Sequence, residues 1–245
     1  MARIVMKFGG TSLEGDARLR AAAEKIAKAH KAGNQVVAVV SARGKETDRL
    51  IAQAEALSSG RELREMDQLL ATGELQSAAL CAMALGAIGC PAVSLSGSQA
   101  GILTDGNHGN AHIARIDTAR ILRELEAGRV VIAAGFQGLS PQGDVTTLGR
   151  GGSDTTGVAL ACALQADVCR IYTDVDGVYD KDPQNHPEAK KFDLIDYDAM
   201  LSLVDGGAQV LHRRSVEIAK AAGLTVEVRS SLTDAPGTLV TNAEA

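Results

Sequence analysis

Short apolar runs alternate along this chain with longer segments whose apolar residues recur at helical spacing. The short runs end in glycine or polar residues, as buried strands do, and the longer segments are rich in alanine and leucine. The runs predict strands at residues 3–8, 35–40, 92–95, 129–134, 145–148, 168–172 and 224–228. The periodic segments predict helices around 19–26, in a segment that follows a polar turn at 47–48 and ends at 57, and at 61–85, 117–127, 153–165, 196–203 and 208–222. This alternation predicts an α/β fold, a three-layer α/β/α sandwich with a mostly parallel open sheet.

Three stretches do not fit either pattern. Residues 97–112 are polar and predict a loop, and residues 180–192 are charged and predict a surface excursion. The chain ends in Pro236-Gly237-Thr238-Leu239-Val240, followed by a polar tail. No internal repeat interrupts this organisation, so we expect a single domain of 1–245 with two lobes.

The stretch at residues 145–158 (V-T-T-L-G-R-G-G-S-D-T-T-G-V) predicts a strand, a tight turn and a helix start marked by Ser153 and Asp154. Such a junction directs unpaired N–H groups and the positive end of a helix dipole at one point, which suits an anion. Gly151 and Gly152 let the backbone approach a ligand, and Arg150 can grip a carboxylate or phosphate with two parallel hydrogen bonds. The alternative is an ordinary capped helix after a turn.

A second glycine-rich junction follows the first strand, in the order Lys7, Phe8, Gly9, Gly10, Thr11 and Ser12. Its lysine could place a positive charge over phosphates held by the turn. The alternative is a plain turn, because a lone Lys-x-Gly-Gly is weak evidence. Neither a Walker A loop nor a G-x-G-x-x-G dinucleotide motif is present in the sequence.

Other candidate residues lie where predicted strands and helices end or are interrupted. Ser41 and Thr47 follow a strand, at the edge where open α/β sheets bind ligands. Glu74 interrupts an apolar helix; residue type alone favours an exposed position, but a buried carboxylate would need a partner such as a substrate ammonium. Thr173, Asp174 and Tyr179 follow another strand and are suited to an adenosine pocket, the alternative being a bare acidic turn.

The spacing of His108 and His112 resembles that of helical metal ligands, but the glycine and asparagine residues between them argue against a helix, so we expect no metal site.

Composition narrows the function classes. The net charge is −5, 2% of residues are aromatic and there is no tryptophan, which argues against nucleic-acid binding. No apolar stretch reaches the roughly 18 residues needed to span a bilayer, so we expect no membrane partner. The four cysteines lack C-x-x-C spacing and lie in apolar runs, which predicts buried free thiols and a cytoplasmic protein.

Four motifs in order, K-F-G-G-T-S, T-L-G-R-G-G-S-D-T-T, T-D-V-D-G-V-Y and V-L-H-x-R-S-V-E, resemble those of the aspartokinases, which belong to the amino acid kinase superfamily. The resemblance extends over essentially the whole chain. It implies the amino acid kinase fold and ATP-dependent phosphorylation of the β-carboxylate of L-aspartate to 4-phospho-L-aspartate, the first step towards lysine, threonine and methionine. ATP with Mg²⁺, held mainly by the phosphates, would be the phosphoryl donor.

The resemblance also implies a role for each matching residue. Lys7 and Asp154 would be catalytic, with Lys7 steadying the phosphoryl group and Asp154 orienting Lys7. Aspartate would be held by Ser41, Thr47, Glu74, Arg150, Gly151, Gly152 and Ser153, with Arg150 on its α-carboxylate and Glu74 on its ammonium. ATP would be bound by Lys7, Phe8, Gly9, Gly10, Ser12, Thr173, Asp174, Tyr179, Asp182, Pro183, Gln184, Gln209 and Val210.

The chain departs from the family pattern in three ways. Gln184 and Gln209 stand where the family usually has an arginine and a lysine, so two cations near the ATP phosphates are missing. Four other cations are candidates to compensate: Arg43, Lys181, Arg213 and Arg214. The third departure is length, because aspartokinases usually continue into paired small-molecule-sensing ACT domains and this chain stops at about their expected start.

The sequence therefore predicts an aspartate kinase with an N-terminal lobe of about 1–143 for the amino acid, a C-terminal lobe of about 144–245 for ATP, and no ACT domain. A homodimer is expected. Either the enzyme lacks feedback control by lysine or threonine, or the chain is a fragment, or a separate ACT-containing chain supplies the regulation. Two alternatives stay open at this point: a kinase of another acidic amino acid or carboxylate in a specialised pathway, and a non-catalytic subunit that binds aspartate or nucleotide.

Overall fold

A computed structural model describes residues 1–58, 62–183 and 185–242 of the chain. The strands are β1 (Arg3–Phe8), β2 (Gln35–Val40), β3 (Ala92–Leu95), β4 (Ile102–Thr104), β5 (Ile113–Ile116), β6 (Val130–Ala134), β7 (Gln137–Leu139), β8 (Val145–Thr147), β9 (Val168–Thr173), β10 (Leu194–Asp196), β11 (Val226–Ser230) and β12 (Thr238–Thr241). The helices are α1 (Gly15–Lys31), α2 (Glu46–Glu55), α3 (Leu63–Ala87), α4 (Ala119–Glu126), α5 (Gly152–Ala163), α6 (Tyr197–Asp205) and α7 (Arg213–Ala222). A short 3-10 turn, Thr11–Leu13, precedes α1.

Eight strands form the central sheet, in the order β10-β12-β11-β9-β1-β2-β6-β3. Its neighbouring strands are parallel except for β11 and β12. Strand β1 lies near the middle, and Val5, Met6 and Phe8 on it are almost fully buried. A sheet covered on both faces needs apolar residues at successive positions, which is why the apolar runs located these strands well.

Side chains of the central sheet alternate between two separate cores. One core contains Val5 and Val37 together with residues of α4, α5, α6 and α7. The other contains Met6 and Val36 together with residues of α1 and α3. Helices thus cover both faces, and the predicted three-layer α/β/α sandwich is confirmed.

A second sheet of four short strands, in the order β5-β4-β7-β8, was not predicted. Strand β4 lies within residues 97–112, where the prediction of a loop was wrong. The strands of this second sheet have three or four residues each, too few for an alternating pattern to appear in the sequence. What holds them is cross-strand contact, such as the hydrogen bond of 2.7 Å between the buried hydroxyls of Thr104 and Thr146.

Several predicted boundaries were also wrong. Helix α7 begins at Arg213 rather than at residue 208, so Gln209 and Val210 precede it. Helix α5 begins at Gly152, and its N-cap is Gly151, with a left-handed φ of 69°, so Ser153 and Asp154 lie inside the first turn and do not cap it. Strands β10 and β12 were missed, although β12 pairs with both β10, at the edge of the central sheet, and β11.

Helix α3 is long and apolar enough to match the length of a membrane span, although the sequence showed no uninterrupted apolar run of that length. Such a match is weak evidence, because core helices of folded domains pass the same test. Here one face of α3 contributes to the core beside α1 through buried residues such as Cys81 and Leu85.

Candidate active site

The carboxyl edge of the central sheet opens into a cleft of about 290 Å³. Both glycine-rich junctions reach it, together with the segment after β2 and the middle of α3. It is lined by Lys7, Gly10, Ser41, Ala42, Gly44, Thr47, Glu74, Phe136, Gly149, Arg150, Gly151, Gly152, Ser153 and Asp154. Lys7 and Arg150, about 140 residues apart in sequence, therefore share one cavity.

Lys7 and Asp154 form an ion pair, with 2.5 Å between Nζ and Oδ1. Both side chains are largely buried, with 11% and 16% of their surface exposed. Strand β1 supplies the lysine and the first turn of α5 supplies the aspartate. A Cβ on Gly157, one turn further along α5, would lie 3.1 Å from Cβ of Lys7, so the bare backbone there leaves room for the lysine stem.

The turn after β1 is held tightly against its neighbours. A Cβ on Gly10 would lie 2.7 Å from the carbonyl oxygen of Ala42, so only glycine allows this approach. The N–H of Gly9 already donates to the carbonyl of Tyr172 at 3.3 Å. Within the described part of the chain no acceptor receives the N–H of Gly10. Of the two amides expected to face phosphates, Gly10 is the one left free to do so.

Two predicted nucleotide contacts are turned away from the cleft. The Phe8 ring is fully buried and stacks on Tyr172 with 4.6 Å between ring centroids. Ser12 is buried as well, and its hydroxyl donates to the carbonyl of Tyr172. For Phe8 only the backbone remains to contact a ligand.

Glu74 is buried at 4% exposure, not exposed as its residue type alone had favoured. Its Oε1 accepts a hydrogen bond from the Ala42 N–H at 3.0 Å, and its Oε2 has no partner among the described residues. Burial raises the pKa of Glu74 to about 7, against the partial effect of the Ala42 hydrogen bond. Gly73 makes this contact possible, because a Cβ there would lie 2.9 Å from Cβ of Ala42. A buried carboxylate that lines a cleft and has one oxygen without a partner suits a cationic ligand.

The turn that carries Arg150 depends on two glycines with left-handed backbones, Gly149 (φ 72°) and Gly151 (φ 69°). Arg150 is exposed at the rim and makes no hydrogen bond or ion pair with any described residue. Ser153, buried at 9% exposure, lies deeper in the cleft. Arg150, without a partner at the rim, and the unpartnered Oε2 of Glu74 inside could bind the carboxylate and the ammonium of an amino acid's main chain.

His212 was missed by the sequence analysis, although it lies in the fourth motif. A Cβ on Gly151 would lie 2.2 Å from Cγ of His212, so the imidazole packs directly against this turn. Its Nδ1 is buried without a partner among the described residues. The motif was the only signal, because nothing near it in sequence points to Gly151.

The predicted adenosine residues lie beside this cleft and not in it. Parallel pairing of Phe8 with Tyr172 places Thr173 next to Gly9 at the same sheet edge. Beyond it, Tyr179 donates to Oδ1 of Asp176 at 2.7 Å, and this hydrogen bond lowers the pKa of Asp176.

The remaining candidates of this group are more scattered. Asp174 accepts a hydrogen bond from the hydroxyl of Thr173, Asp182 and Gln209 are exposed, Pro183 is half-buried, and Val210 packs against the core. Gln184 lies outside the described residues.

The four cations expected to compensate for Gln184 and Gln209 all have other partners. Arg43 pairs with Asp16, and Lys181 pairs with Glu188. Arg213 pairs with Asp205 and Glu217, while Arg214 donates to the carbonyls of Ala111 and Leu148.

The two spaced histidines bind different carboxylates, His108 that of Asp67 and His112 that of Asp105. Across the described residues no group of three or more histidine, cysteine or acidic side chains could hold a metal ion. Cys81, Cys90 and Cys169 are buried free thiols, as predicted, and Cys162 is a half-buried one.

Comparison with known proteins shows which family the chain is similar to. The family model described as the amino acid kinase family matches residues 2–230. An aspartokinase from Geobacillus stearothermophilus is 53% identical over 240 residues, which cover 98% of this chain and 59% of that protein. The chain thus spans about three fifths of the length of the curated relatives it matches.

Solved structures are similar over nearly the whole chain. The aspartate kinase from Synechocystis has a TM-score of 0.89 at 47% identity, covering 98% of this chain and 40% of that one. Aspartokinase III from E. coli, solved in complex with aspartate and ADP, has a TM-score of 0.87 at 29% identity, covering 98% of this chain and 64% of that one.

Proposed function

The chain belongs to the amino acid kinase family, and from this we propose that it transfers the γ-phosphoryl group of MgATP to the β-carboxylate of L-aspartate. The observation that carries the proposal is the shared cleft, which brings Lys7, Arg150 and the unpaired oxygen of Glu74 together. The similarity to aspartokinases over 98% of the chain supports the same substrate.

Aspartate would bind through its two main-chain charges. Oε2 of Glu74 would accept a hydrogen bond from the ammonium. This bond would replace the water that the oxygen loses on burial. Arg150 would hold the α-carboxylate by its planar fork at the rim. The β-carboxylate would then point towards Lys7, near Ser41 and Ser153, with Thr47 and the amides of Gly151 and Gly152 completing the pocket.

In the reaction an oxygen of the β-carboxylate attacks the γ-phosphorus, a new P–O bond forms, and the bond to the leaving ADP oxygen breaks. Lys7 would neutralise charge on the moving phosphoryl group, and Asp154 would hold the lysine in place through their ion pair. The Gly10 amide would donate to a phosphate oxygen. Phosphoryl transfer needs chiefly that the reactants be positioned and that their negative charge be neutralised. These groups supply both without a covalent intermediate.

ATP would extend from Lys7 along the edge of β9, where Thr173, Asp174 and Tyr179 follow the strand. Support for this direction is the pairing of β1 with β9, which puts Gly9 and Thr173 side by side. Mg²⁺ would arrive with ATP and be held mainly by its phosphates, since the described residues offer no acidic cluster for it. The division into lobes at about residue 143 stays a prediction.

The product would be 4-phospho-L-aspartate, a mixed anhydride at the first step towards lysine, threonine and methionine. We place this activity in the cytoplasm, where buried free thiols stay reduced. The longer relatives are consistent with regulation by further domains, on this or another chain, and a homodimer stays an expectation.

The test is an assay with aspartate, MgATP and hydroxylamine, which converts the acyl phosphate to aspartyl hydroxamate. The protein should give product, and a Lys7→Ala variant should lose on the order of 10²–10³ in rate, as when a single charge-stabilising donor is removed elsewhere. Product no greater than that of the variant would refute the proposal. Other acidic acceptors, run in competition, would show whether aspartate is preferred.

A non-catalytic binding subunit is a second candidate. Gln209 replaces a cation, and Arg43, Arg213 and Arg214 are engaged elsewhere. Calorimetry would separate the two, because tight binding of aspartate or ADP without turnover supports the second candidate.

A further inference from the structure

The strand that leads into the Arg150 turn is anchored at its end by a buried carboxylate. Asp67, on α3, is fully buried. It accepts a hydrogen bond of 2.5 Å from the hydroxyl of Thr147 in β8, and the N–H of Gly109 and Nδ1 of His108 also bind it, at 3.0 and 2.8 Å. The carboxylate is thereby satisfied on both oxygens.

The next residue in the chain, Leu148, is anchored by a cation from another helix. Nη1 of Arg214, on α7, donates to the carbonyl of Leu148 at 3.1 Å and to that of Ala111 at 3.3 Å. Nη2 donates to Oδ1 of Asn110 at 3.2 Å. Two helices therefore fix two consecutive residues, Thr147 and Leu148, immediately before the turn begins.

The turn itself is held by the Gly152 N–H, which donates to the Gly149 carbonyl at 3.0 Å, and by the packing of His212 against Gly151. It contains three glycines, at 149, 151 and 152, which restrict the backbone least of all residues. Arg150 has no partner among the described residues, so its position depends on the backbone on either side of it. A Cβ on Gly149 would lie 2.8 Å from Oδ1 of Asn110, the atom that Arg214 holds.

The carboxylate anchor is also linked to the cleft through its own helix. Asp67 and Glu74 are seven residues apart, two turns of α3, and both are buried on the same side of it. The helix that carries the proposed ammonium site thus also fixes the strand before the proposed α-carboxylate site. The distance between these two sites would decide which amino acids fit.

We propose that Arg214 and Asp67 are positioning residues, which hold the Arg150 turn at the separation from Glu74 that the amino-acid substrate requires. The proposal rests on the proposed function for the identity of that substrate. Neither side chain lines the cleft, so both act through backbone and not by contact with substrate.

The experiment compares Arg214→Gln with the wild-type chain and with Lys220→Gln, a matched control on the same helix whose ammonium pairs with the exposed Asp198. Steady-state kinetics give KM for aspartate and for ATP, and hydrogen exchange gives the order of the segment 148–154. Arg214→Gln should raise KM for aspartate by about tenfold with KM for ATP unchanged, because a small misplacement of a positioning group has effects of this size or more. Exchange in the segment should quicken, while β1 and β2 stay protected.

Two further variants keep the test decisive if Arg214→Gln folds poorly. Arg214→Lys retains a cation that can reach one carbonyl and should recover part of the aspartate affinity. Asp67→Asn keeps the shape of the side chain but removes its charge, and it should also raise KM for aspartate. A fall in active fraction with both KM values unchanged would mean a merely structural role and would overturn the proposal.

Failure of the proposed function gives a different result. If the wild-type chain phosphorylates no aspartate, exchange in 148–154 still decides whether Arg214 orders the turn. Unchanged exchange in the variant contradicts the positioning role, whatever the substrate proves to be.

Discussion

Because Glu74 is buried, we expect this side chain to lower the folding stability of the ligand-free protein at neutral and alkaline pH. Its pKa rises from an ordinary value of 4.5 to about 7 because ionisation inside the protein lacks solvent and an ion partner. The stabilising contribution of the protonated form is fully present below pH 4.5. It is lost as pH rises to about 7, after which the folded protein carries the full cost of a buried charge.

The size of the cost follows from that difference. Each pKa unit corresponds to about 1.4 kcal/mol, so the shift from 4.5 to about 7 amounts to about 3 kcal/mol. Glu74→Gln keeps the shape and can still accept the Ala42 N–H, but it does not ionise. The variant should therefore be more stable than wild type above pH 7 by up to about 3 kcal/mol, or roughly 6–12 °C in melting temperature for a chain of this length.

The assay is thermal unfolding of both proteins at pH 5 and pH 8.5, without ligand. The stability difference should be small at pH 5 and large at pH 8.5. A matched control is Glu124→Gln: Glu124 is also buried, but Arg120 and Arg129 bind its carboxylate, and the Arg120 hydrogen bond lowers its pKa. That variant should lose stability to about the same extent at both pH values, because both lie above the ordinary glutamate pKa of 4.5 and the paired carboxylate is ionised at each. An equal effect of Glu74→Gln at both pH values would refute the reasoning.

The Glu74→Gln variant should bind aspartate poorly, because a neutral amide cannot neutralise the charge of an ammonium. Hydrogen bonds to charged groups contribute about 1.5–3 kcal/mol, so KM for aspartate should rise by roughly 10- to 100-fold. In the wild-type chain KM for aspartate should rise as pH falls below about 7, where Glu74 takes up a proton. Aspartate should raise the melting temperature of wild type far more than that of the variant. A variant that kept normal affinity would place the ammonium elsewhere.

Two glycine substitutions test the space around the lysine and the first turn. Gly157→Ala would put Cβ 3.1 Å from Cβ of Lys7, so kcat should fall severalfold although alanine favours the helix. Gly86→Ala has open space around its Cβ, so it should raise the free energy of unfolding by up to about 1 kcal/mol, measured by thermal melting, and keep its activity. Equal activity of the two would contradict the role of that space. Gly10→Ala would put Cβ 2.7 Å from the Ala42 carbonyl, so the melting temperature should fall and KM for ATP should rise in steady-state kinetics; an unchanged KM would remove the Gly10 amide from the phosphate site.

The central sheet and its main helices were predictable because their signals are local. Strands β1, β2 and β3 match the predicted bounds, since each is a continuous apolar run bounded by residues that end a strand. The glycine-rich junctions were located for the same reason: the residues that make a tight turn possible lie next to one another in sequence. From this the sequence predicted the layer order and the sheet edge at which the cleft lies.

What the sequence did not determine depends on contacts between distant segments. The four-stranded second sheet has strands too short to show a period, and it forms because they pair with one another. The start of α7 at Arg213 has no strong local mark, since residues 208–211 before it look equally helical in sequence. Ser153 and Asp154 had been predicted to mark the start of α5, but the N-cap is Gly151, whose left-handed backbone suits glycine.

The site shows the same division. The sequence alone identified Lys7, Arg150 and Glu74 as candidate site residues. Only the tertiary structure decided that they share a cleft, that Glu74 is buried and that Arg214 is committed to the Leu148 carbonyl. Burial, pKa and the availability of a charge depend on every neighbour in space, and the neighbours that matter here lie tens of residues away along the chain.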